Sequence, residues 1–418
     1  MSRWHKTSCT VPDVHVVLDA DIPHCRACDT VPDLTQLSAA IAGFSPLPPL
    51  PPDEALDQVF LTWPPTVAYL GSCREKSSEQ CSEDFKSAAQ DHGAFTPSVI
   101  YKRPLQVDEF RLLRLPPTHD HNAPVHLDIE IYKDDEYPNY EATSYTWGGE
   151  DEDSTLCKPI FVGPYWDVTF QTRNCWSMLQ TLRFRRGDRV LWVDAMCIDQ
   201  ANMKEREQQV TKMLRLYEAA VQVVVYLGPD VTQPLGPQML CQKRRGLHEL
   251  QAYEQITLLD LLKRKYFSRL WVVQELMLSR SAVMRVGITD YHIDERTGDR
   301  IQRLDRSWDW SRTSAPWLQH AARRHVKADP HKSGLLDLLI STASCQCSDP
   351  RDRVFGLLAL DGDQEDQKIS LDYSLSAQHV MMGVFTHCLV KHRDLRVFWG
   401  AAGIGHWSEY PSWVPPWK

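Results

Sequence analysis

The sequence predicts an α/β fold in which helices cover both faces of a parallel β-sheet. Between Ala142 and Val286, short apolar runs typical of buried strands alternate with stretches of helical periodicity. The chain has 418 residues, of which 43% are hydrophobic, so it can bury a large core divided among two or three compact units. Ligands bind such sheets at the carboxyl ends of the strands, so we expect functional residues directly after each predicted strand.

The segment that precedes this region, residues 1–95, has little periodicity, and we expect it to be variable, partly disordered and poorly ordered overall. Within it, the run Pro46-Leu47-Pro48-Pro49-Leu50-Pro51-Pro52 predicts a stiff polyproline spacer, with a proline-recognition ligand as the alternative. Residues 96–139 predict a short β extension. Its two runs, 110–115 and 125–131, alternate with a period of two and are typical of paired strands.

The central region, residues 140–290, supplies the alternation on which the fold class depends. In chain order it predicts a strand at 142–147, a helix at 172–183, a strand at 190–194, a helix from 202, a strand at 223–227, a helix that ends near 278 and is interrupted near 265, and a strand at 282–286. The helix from 202 is the clearest of these. Asn202 can cap it, and Glu205 stands three positions later, as in a capping box.

Residues 291–418 predict a mostly helical region. Apolar residues share one helix face after Gly334, and a further helix covers about 376–391. The segment Asp349-Pro350-Arg351-Asp352-Arg353 predicts a turn and a helix start, because proline suits the first helical position and acids suit the first turn. We assign it a structural role. The proline–aromatic segment 411–417 is too stiff for a helix.

Three motifs of the central region resemble those of the fungal heterokaryon-incompatibility (HET) domain. They are Tyr140-Glu141-Ala142-Thr143-Ser144-Tyr145-Thr146-Trp147-Gly148, Leu191-Trp192-Val193-Asp194-Ala195-Met196-Cys197-Ile198-Asp199-Gln200 and Arg269-Leu270-Trp271-Val272-Val273-Gln274-Glu275. Segments 349–354, 372–374 and 411–415 resemble sequences that commonly follow the domain. The resemblance covers about residues 108–418 in order and spacing, which is more specific than any single motif. Two positions depart from it: Pro416 replaces a more frequent Asp, and Ile198-Asp199 replaces an Ile-Asn pair.

This resemblance implies a role in self/non-self recognition. HET proteins act in cell death after fusion of genetically different fungal cells, and their domain is similar to Toll/interleukin-receptor (TIR) domains, which have a flavodoxin-like sheet. Some TIR domains assemble as scaffolds, whereas others cleave NAD. The resemblance thus implies a signalling protein that works by self-association on activation, with protein partners, and an NAD glycohydrolase as the alternative. No cofactor is implied, and NAD enters only as a substrate.

Glu275 is the sharpest candidate for catalysis. It lies in an otherwise apolar helix, 270–278, and a buried carboxylate costs several kcal/mol unless it has a partner. Ser268, Trp271 and Glu275 resemble the serine, tryptophan and glutamate of NAD-cleaving TIR domains. Such a glutamate holds ribose hydroxyls and stabilises an oxocarbenium-like transition state. The alternative is a buried ion pair with Arg206 or Arg269.

Other candidate ligand-binding residues follow the predicted strands. Ser144, Trp147 and Gly148 lie at the end of the first strand, where an indole can stack on a base and glycine allows a close backbone approach; a turn with a core aromatic is the alternative. Asp194 and Asp199 follow the strand at 190–194 and can hold a ligand hydroxyl. Their alternative role is to cap the helix from 202.

The segment His24-Cys25-Arg26-Ala27-Cys28 contains half of a zinc site, because a structural zinc ion needs four ligands, usually as two such pairs. Cys9, Cys73 and Cys81 are poorly spaced to complete it. We therefore expect no metal centre, with Cys25 and Cys28 as weak candidate ligands. Free thiols at these positions are the alternative.

Composition narrows the remaining classes of function. The net charge of −9, without a dense basic stripe, argues against a nucleic-acid partner. No apolar run is long enough to span a bilayer, and the first ten residues lack the apolar core of a secretory signal, so we expect a cytoplasmic location. Motifs typical of ATPases, serine hydrolases, zinc proteases and dinucleotide-binding oxidoreductases are absent from the sequence, which favours signalling over metabolism.

Overall fold

The structure is a computed structural model that describes residues 3–17, 22–39, 50–52, 101, 103–120, 122–229, 261–293, 313–318, 334–361, 369 and 371–400. Three features of the sequence analysis lie outside these residues: most of the proline-rich spacer, the polar stretch that holds Cys73 and Cys81, and the proline–aromatic segment 411–417.

Two sheets form among the described residues: a hairpin and a nine-stranded mixed sheet. The strands are β1 (Val14–Val17), β2 (Ile22–Cys25), β3 (Glu109–Leu115), β4 (His126–Lys133), β5 (Glu141–Tyr145), β6 (Lys158–Val162), β7 (Asp167–Gln171), β8 (Arg189–Trp192), β9 (Val223–Tyr226), β10 (Ala282–Val286) and β11 (Thr289–Ile293). The helices are α1 (Leu34–Ala39), α2 (Arg173–Leu182), α3 (Asp194–Cys197), α4 (Met203–Ala219), α5 (Trp271–Met277), α6 (Leu335–Ser341), α7 (Asp352–Phe355) and α8 (Ala377–Val390). Short 3-10 turns cover Gly149–Asp151, Lys265–Ser268, Leu358–Leu360 and Leu395–Gly400.

The large sheet has the order β11-β10-β9-β5-β8-β3-β4-β6-β7. Its four central strands, β10, β9, β5 and β8, run parallel to one another. Antiparallel pairs flank them on both sides, at β10–β11, β8–β3, β3–β4 and β6–β7. The sheet is therefore mixed: the predicted parallel pairing holds at its centre and between β4 and β6, and the prediction of a wholly parallel sheet is wrong. Connections as short as the one from β10 to β11 leave no room for a crossover and force antiparallel pairing.

Helices pack on both faces of this parallel centre. Successive residues of a strand point to opposite faces, and two neighbours on β5 illustrate this. Ser144 donates a hydrogen bond to Glu275 of α5, whereas the buried Tyr145 lies beside Cys175 of α2. All four residues of β9 are buried, as expected for a strand covered twice.

The two best-marked helices begin where the sequence predicts. Thr172 caps α2, and its hydroxyl accepts the Cys175 N–H at 3.2 Å. Asn202 caps α4, and its side chain accepts the Glu205 N–H at 3.3 Å. The predicted capping box does not close. The Glu205 carboxylate accepts the Asp199 N–H at 2.8 Å and pairs with Arg111 instead of returning to the cap residue.

The strands of the predicted β extension belong to the same sheet as the central region. β3 pairs with β8, and the nearly inaccessible Arg111 on β3 forms two hydrogen bonds with the Glu205 carboxylate on α4. β6 and β7 were not expected from the sequence. Gly163, with φ +72°, and Trp166, with φ +49°, form the turn that joins them.

The C-terminal region packs on the sheet domain as part of one continuous hydrophobic core. The Leu270 N–H donates to the Gln346 carbonyl at 2.9 Å, and the Gln346 N–H donates to the Ser268 carbonyl at 2.6 Å. Its described elements are the helices α6, α7 and α8 and two 3-10 turns, in agreement with the predicted helical character. Across the described ranges, we find no helix with the length and apolar character that crossing a membrane requires.

Part of the N-terminal segment is folded. β1 and β2 form an antiparallel hairpin, and α1 follows it. Trp4, Leu34 and Leu37 pack against a small apolar cluster on β6 and β7. Residues 3–17 and 22–39 thus form an N-terminal module that lies against the β7 edge of the large sheet.

Candidate ligand-binding cleft

A cleft of about 560 Å³ opens where the parallel strands end. This volume lies within the range of small-molecule sites. Five residues singled out from the sequence line it together: Trp147, Gly148, Asp194, Trp271 and Glu275. They come from the end of β5, the start of α3 and the helix α5, so the carboxyl edge of the sheet brings them together as expected.

Glu275 lies on the wall of the cleft with only 4% of its surface exposed. The Ser144 hydroxyl donates to one of its carboxylate oxygens, and Ser144 in turn lies 2.6 Å from the buried Tyr266 hydroxyl. Burial raises the pKa of Glu275 to about 7, although the positive charge of Arg269 and the Ser144 hydrogen bond oppose that shift. A carboxyl group with this pKa exchanges its proton near neutral pH, which suits it to acid–base or electrostatic chemistry.

The proposed ion-pair partners of Glu275 have other contacts. Arg206 pairs with Asp349 at 3.8 Å, and its guanidinium lies 4.2 Å from the centre of the Tyr373 ring. Arg269 donates to the Tyr145 carbonyl and acts on Glu275 through its charge. The carboxyl group of Glu275 therefore has the Ser144 hydroxyl as a hydrogen-bond partner, and the residue lines the cleft.

Two half-buried indoles line the cleft with Glu275, and a carboxylate anchors each of them. Trp147 Nε1 donates to Asp194 at 3.0 Å, and Trp271 Nε1 donates to Asp352 at 3.0 Å. Burial raises the pKa of Asp194, and burial together with the charge of Asp349 raises the pKa of Asp352 to about 6. The anchors fix both rings in the wall, which reduces the entropy lost when a planar ligand stacks on them.

The backbone explains the glycine at the end of β5. A Cβ atom on Gly148 would lie 2.6 Å from the carbonyl carbon of Glu152, and Gly149 has φ +65°. Both positions therefore need glycine for a tight turn above the cleft. Tyr145 is a buried core residue. This agrees with the alternative given for the segment, a turn with a core aromatic.

Two of the candidate residues do not line the cleft. Ser144 lies behind it and supports Glu275. Asp199 is buried in the loop before α4, where its carboxylate accepts the Ala201 N–H at 3.2 Å. This contact forms a turn before α4, whose cap is Asn202, so Asp199 neither lines the cleft nor caps the helix.

The cleft also contains charged residues that sequence reasoning did not select. Asp349 and Asp352 reach it from the C-terminal region, with Tyr373, whose hydroxyl donates to Asp352 at 2.6 Å. Arg351, with 1% of its surface exposed, holds Asp349 through a two-pronged contact. The sequence did contain a sign of these residues. The segment Asp349-Pro350-Arg351-Asp352-Arg353 places four charged residues directly before an apolar run, and charged side chains that become buried need partners of opposite charge.

A family model described as Heterokaryon incompatibility protein (HET) matches residues 140–275. The match begins at the first residue of the first motif and ends at Glu275, so it contains three of the four central strands, β5, β8 and β9, and one wall of the cleft. The chain therefore carries a fungal HET domain. The three motifs identified in the sequence, at 140–148, 191–200 and 269–275, all lie within the matched residues.

The chain is also similar to two curated proteins. Heterokaryon incompatibility protein 6, OR allele, of Neurospora crassa is 26% identical over 372 aligned residues, which cover 67% of this chain and 53% of the relative. Vegetative incompatibility protein HET-E-1 of Podospora anserina is 28% identical over 150 residues, which cover 34% of this chain and 9% of the relative. The chain thus spans about half of the first relative and a small part of the second. No solved structure matches the chain.

Proposed function

We propose that this HET-domain chain acts in heterokaryon incompatibility, as a signalling protein that leads to cell death when unlike cells fuse. The names of the two relatives support this role. The absence of an ordinary metabolic motif in the sequence is consistent with it.

We propose further that the cleft binds a ribosylated ligand and cleaves its N-glycosidic bond, with NAD as the substrate. The observation that carries this proposal is the placement of Glu275, whose carboxyl group has a pKa near 7 and lies on a cleft wall with two anchored indoles. In chain order the parallel strands are β5, β8, β9 and β10, and their spatial order is therefore 2-1-3-4. This doubly wound order is that of flavodoxin-like sheets and supports the likeness to TIR domains.

The chemistry requires little more than one well-placed carboxylate. Water attacks the anomeric carbon of the ribose, the bond to the pyridinium nitrogen breaks, and nicotinamide leaves with the electron pair. The products are nicotinamide, ADP-ribose and a proton. Ionised Glu275 stabilises the positive charge that develops on the ribose ring, and its low exposure strengthens that interaction.

Other cleft residues match the remaining parts of such a ligand. Trp147 and Trp271 offer ring surfaces to a nicotinamide or adenine ring. Arg206, Lys265 and Arg269 line the same cleft beside five acidic residues, Glu152, Asp194, Glu275, Asp349 and Asp352, and we propose that the three cations hold the diphosphate.

The test compares three chains expressed in fungal cells: wild type, Glu275→Gln and the matched control Glu218→Gln on the exposed side of α4. We expect wild type and control to deplete NAD before the cells die, and Glu275→Gln to preserve both NAD and viability, because it keeps the side-chain shape and removes the charge. Nicotinamide release by the purified chains provides the direct measurement. Death without loss of NAD would refute the enzyme and favour the scaffold alternative.

Under either mechanism we propose that the chain associates with itself on activation and acts in the cytoplasm. TIR-like domains commonly work as assemblies, and this likeness is the basis for the proposal. Cross-linking before and after incompatible fusion measures the oligomeric state. A chain that stays monomeric while the cells die would contradict self-association.

A further inference from the structure

Four potential metal ligands meet in the N-terminal module. They are His5, Cys9, Cys25 and Cys28, and their ligand atoms all lie within 4.8 Å of one another. Cys25 and Cys28 were weak candidates from the sequence, and the fold adds the two ligands that were missing. His5, Cys25 and Cys28 are buried, and Cys9 is half-buried.

Two turns deliver the ligands in pairs. His5 and Cys9 flank a turn that the hydrogen bond from Cys9 N–H to the Lys6 carbonyl closes at 2.9 Å. Cys25 and Cys28 lie in a turn that follows β2, where the Asp29 N–H donates to the Cys25 carbonyl at 2.8 Å. The hairpin between β1 and β2 then brings the second turn beside the first. Sequence spacing does not reveal this, because the hairpin alone determines how the pairs meet.

Two of the six distances between ligand atoms are those expected around a tetrahedral zinc ion, and all six are within 4.8 Å. With Zn–S about 2.3 Å and Zn–N about 2.0 Å, two sulfur ligands lie about 3.8 Å apart, and a sulfur and a nitrogen lie about 3.5 Å apart. Here Cys9 Sγ and Cys25 Sγ are 3.9 Å apart, and Cys28 Sγ is 3.5 Å from His5 Nδ1. A disulfide would need the two sulfurs about 2.05 Å apart.

The surrounding hydrogen bonds also prepare the ligands. His5 Nε2 lies 2.7 Å from the Tyr165 carbonyl, which can only accept, so the ring proton belongs on Nε2 and the Nδ1 lone pair faces the cysteines. A carbonyl that fixes the ring in this way is the usual support of a zinc-bound histidine. The Thr30 hydroxyl lies 2.9 Å from Cys28 Sγ and can stabilise a thiolate there.

We propose that His5, Cys9, Cys25 and Cys28 bind a structural zinc ion that holds the N-terminal module together. Four protein ligands complete the coordination and leave no open position for substrate, so the role is structural. The module needs such an ion because of its small size. A two-stranded hairpin and one short helix cannot bury enough surface to fold alone.

The same site connects the module to the HET domain. His5 is both a zinc ligand and a partner of Tyr165 in the turn between β6 and β7. Beside it, Trp4 Nε1 donates to the Trp166 carbonyl at 2.8 Å, and Arg3 pairs with Asp167 at 3.2 Å. Loss of the ion should therefore release residues 3–39 from the sheet edge while the sheet itself stays folded.

The test uses the full chain purified under reducing conditions without chelators. We expect close to one zinc ion per chain by elemental analysis. Replacement by Co²⁺ should give the thiolate-to-cobalt charge-transfer band and the intense visible bands of a tetrahedral site. Cys28→Ser should lose the ion, whereas the control Cys157→Ser, which changes a cysteine outside the cluster, should keep it.

A measurement on the unmodified chain covers the case in which Cys28→Ser fails to fold. Removing the metal with a strong chelator should make residues 3–39 sensitive to protease, and added zinc should restore their protection. Wild type that carries no zinc and gives no cobalt bands would overturn the proposal. A disulfide within the cluster under these conditions would also overturn it. The same holds if the chelator does not change the protease sensitivity of the module.

Discussion

Replacing Glu275 by glutamine should stabilise the folded chain above neutral pH. Burial raises the pKa of Glu275 from 4.5 to about 7, so between these values the folded chain binds more protons than the unfolded chain. The stability that protonated Glu275 contributes is complete below pH 4.5 and is lost as the pH rises through about 7. At ~1.4 kcal/mol per pH unit, ionised Glu275 costs the folded state about 3 kcal/mol at pH 8. Glutamine does not ionise and so avoids this cost, and its side-chain carbonyl can still accept a hydrogen bond from the Ser144 hydroxyl.

The assay is urea unfolding of wild type, Glu275→Gln and the exposed control Glu218→Gln at pH 5 and pH 8. The difference in unfolding free energy between Glu275→Gln and wild type should increase by about 2.5 kcal/mol from pH 5 to pH 8. The control should follow wild type at both values, because an exposed carboxylate is solvated in the folded and unfolded states. Any difference in hydrogen bonding between glutamate and glutamine contributes equally at both pH values, so it cancels when the two free-energy differences are subtracted.

Two results would refute this reasoning. A difference that does not change with pH would mean that Glu275 stays solvated in the folded chain. A variant that is unfolded at both values would mean that the carboxylate is an essential structural partner of its neighbours. In the expected case the cleft keeps a residue that weakens the fold at neutral pH, as functional sites commonly do.

Three further predictions concern stability, each measured by urea unfolding. Glu205→Gln should cost about 3–5 kcal/mol because it leaves the buried Arg111 without its charged partner, and replacing both by methionine should recover most of that loss. Gly287→Ala should destabilise by more than about 1 kcal/mol, since φ is +55° and a Cβ would lie 2.5 Å from the backbone oxygen of Pro229. Asn202→Ala should cost about 1 kcal/mol by removing the cap of α4, and an unchanged midpoint would contradict that role.

The sequence predicted the type and order of most elements from β3 to α8, but not β6, β7, α3 or β11. Hydrophobic periodicity placed β9 and β10 close to their observed bounds, and Asn202 marked a helix start because a cap acts on N–H groups only two or three residues away. The motifs that end at Gly148 and Glu275 also follow from local pattern, and both ends line the cleft.

Only the tertiary structure decided which distant groups meet. Asp352 and Tyr373 join the cleft, and His5 and Cys9 join Cys25 and Cys28, through packing between segments far apart in the chain. The mixed pairing of the sheet is also a long-range property. Periodicity reports which face of an element is buried, because that depends on the residues of the element itself. It carries no information about the partner that buries the face, since many partners bury the same apolar area equally well.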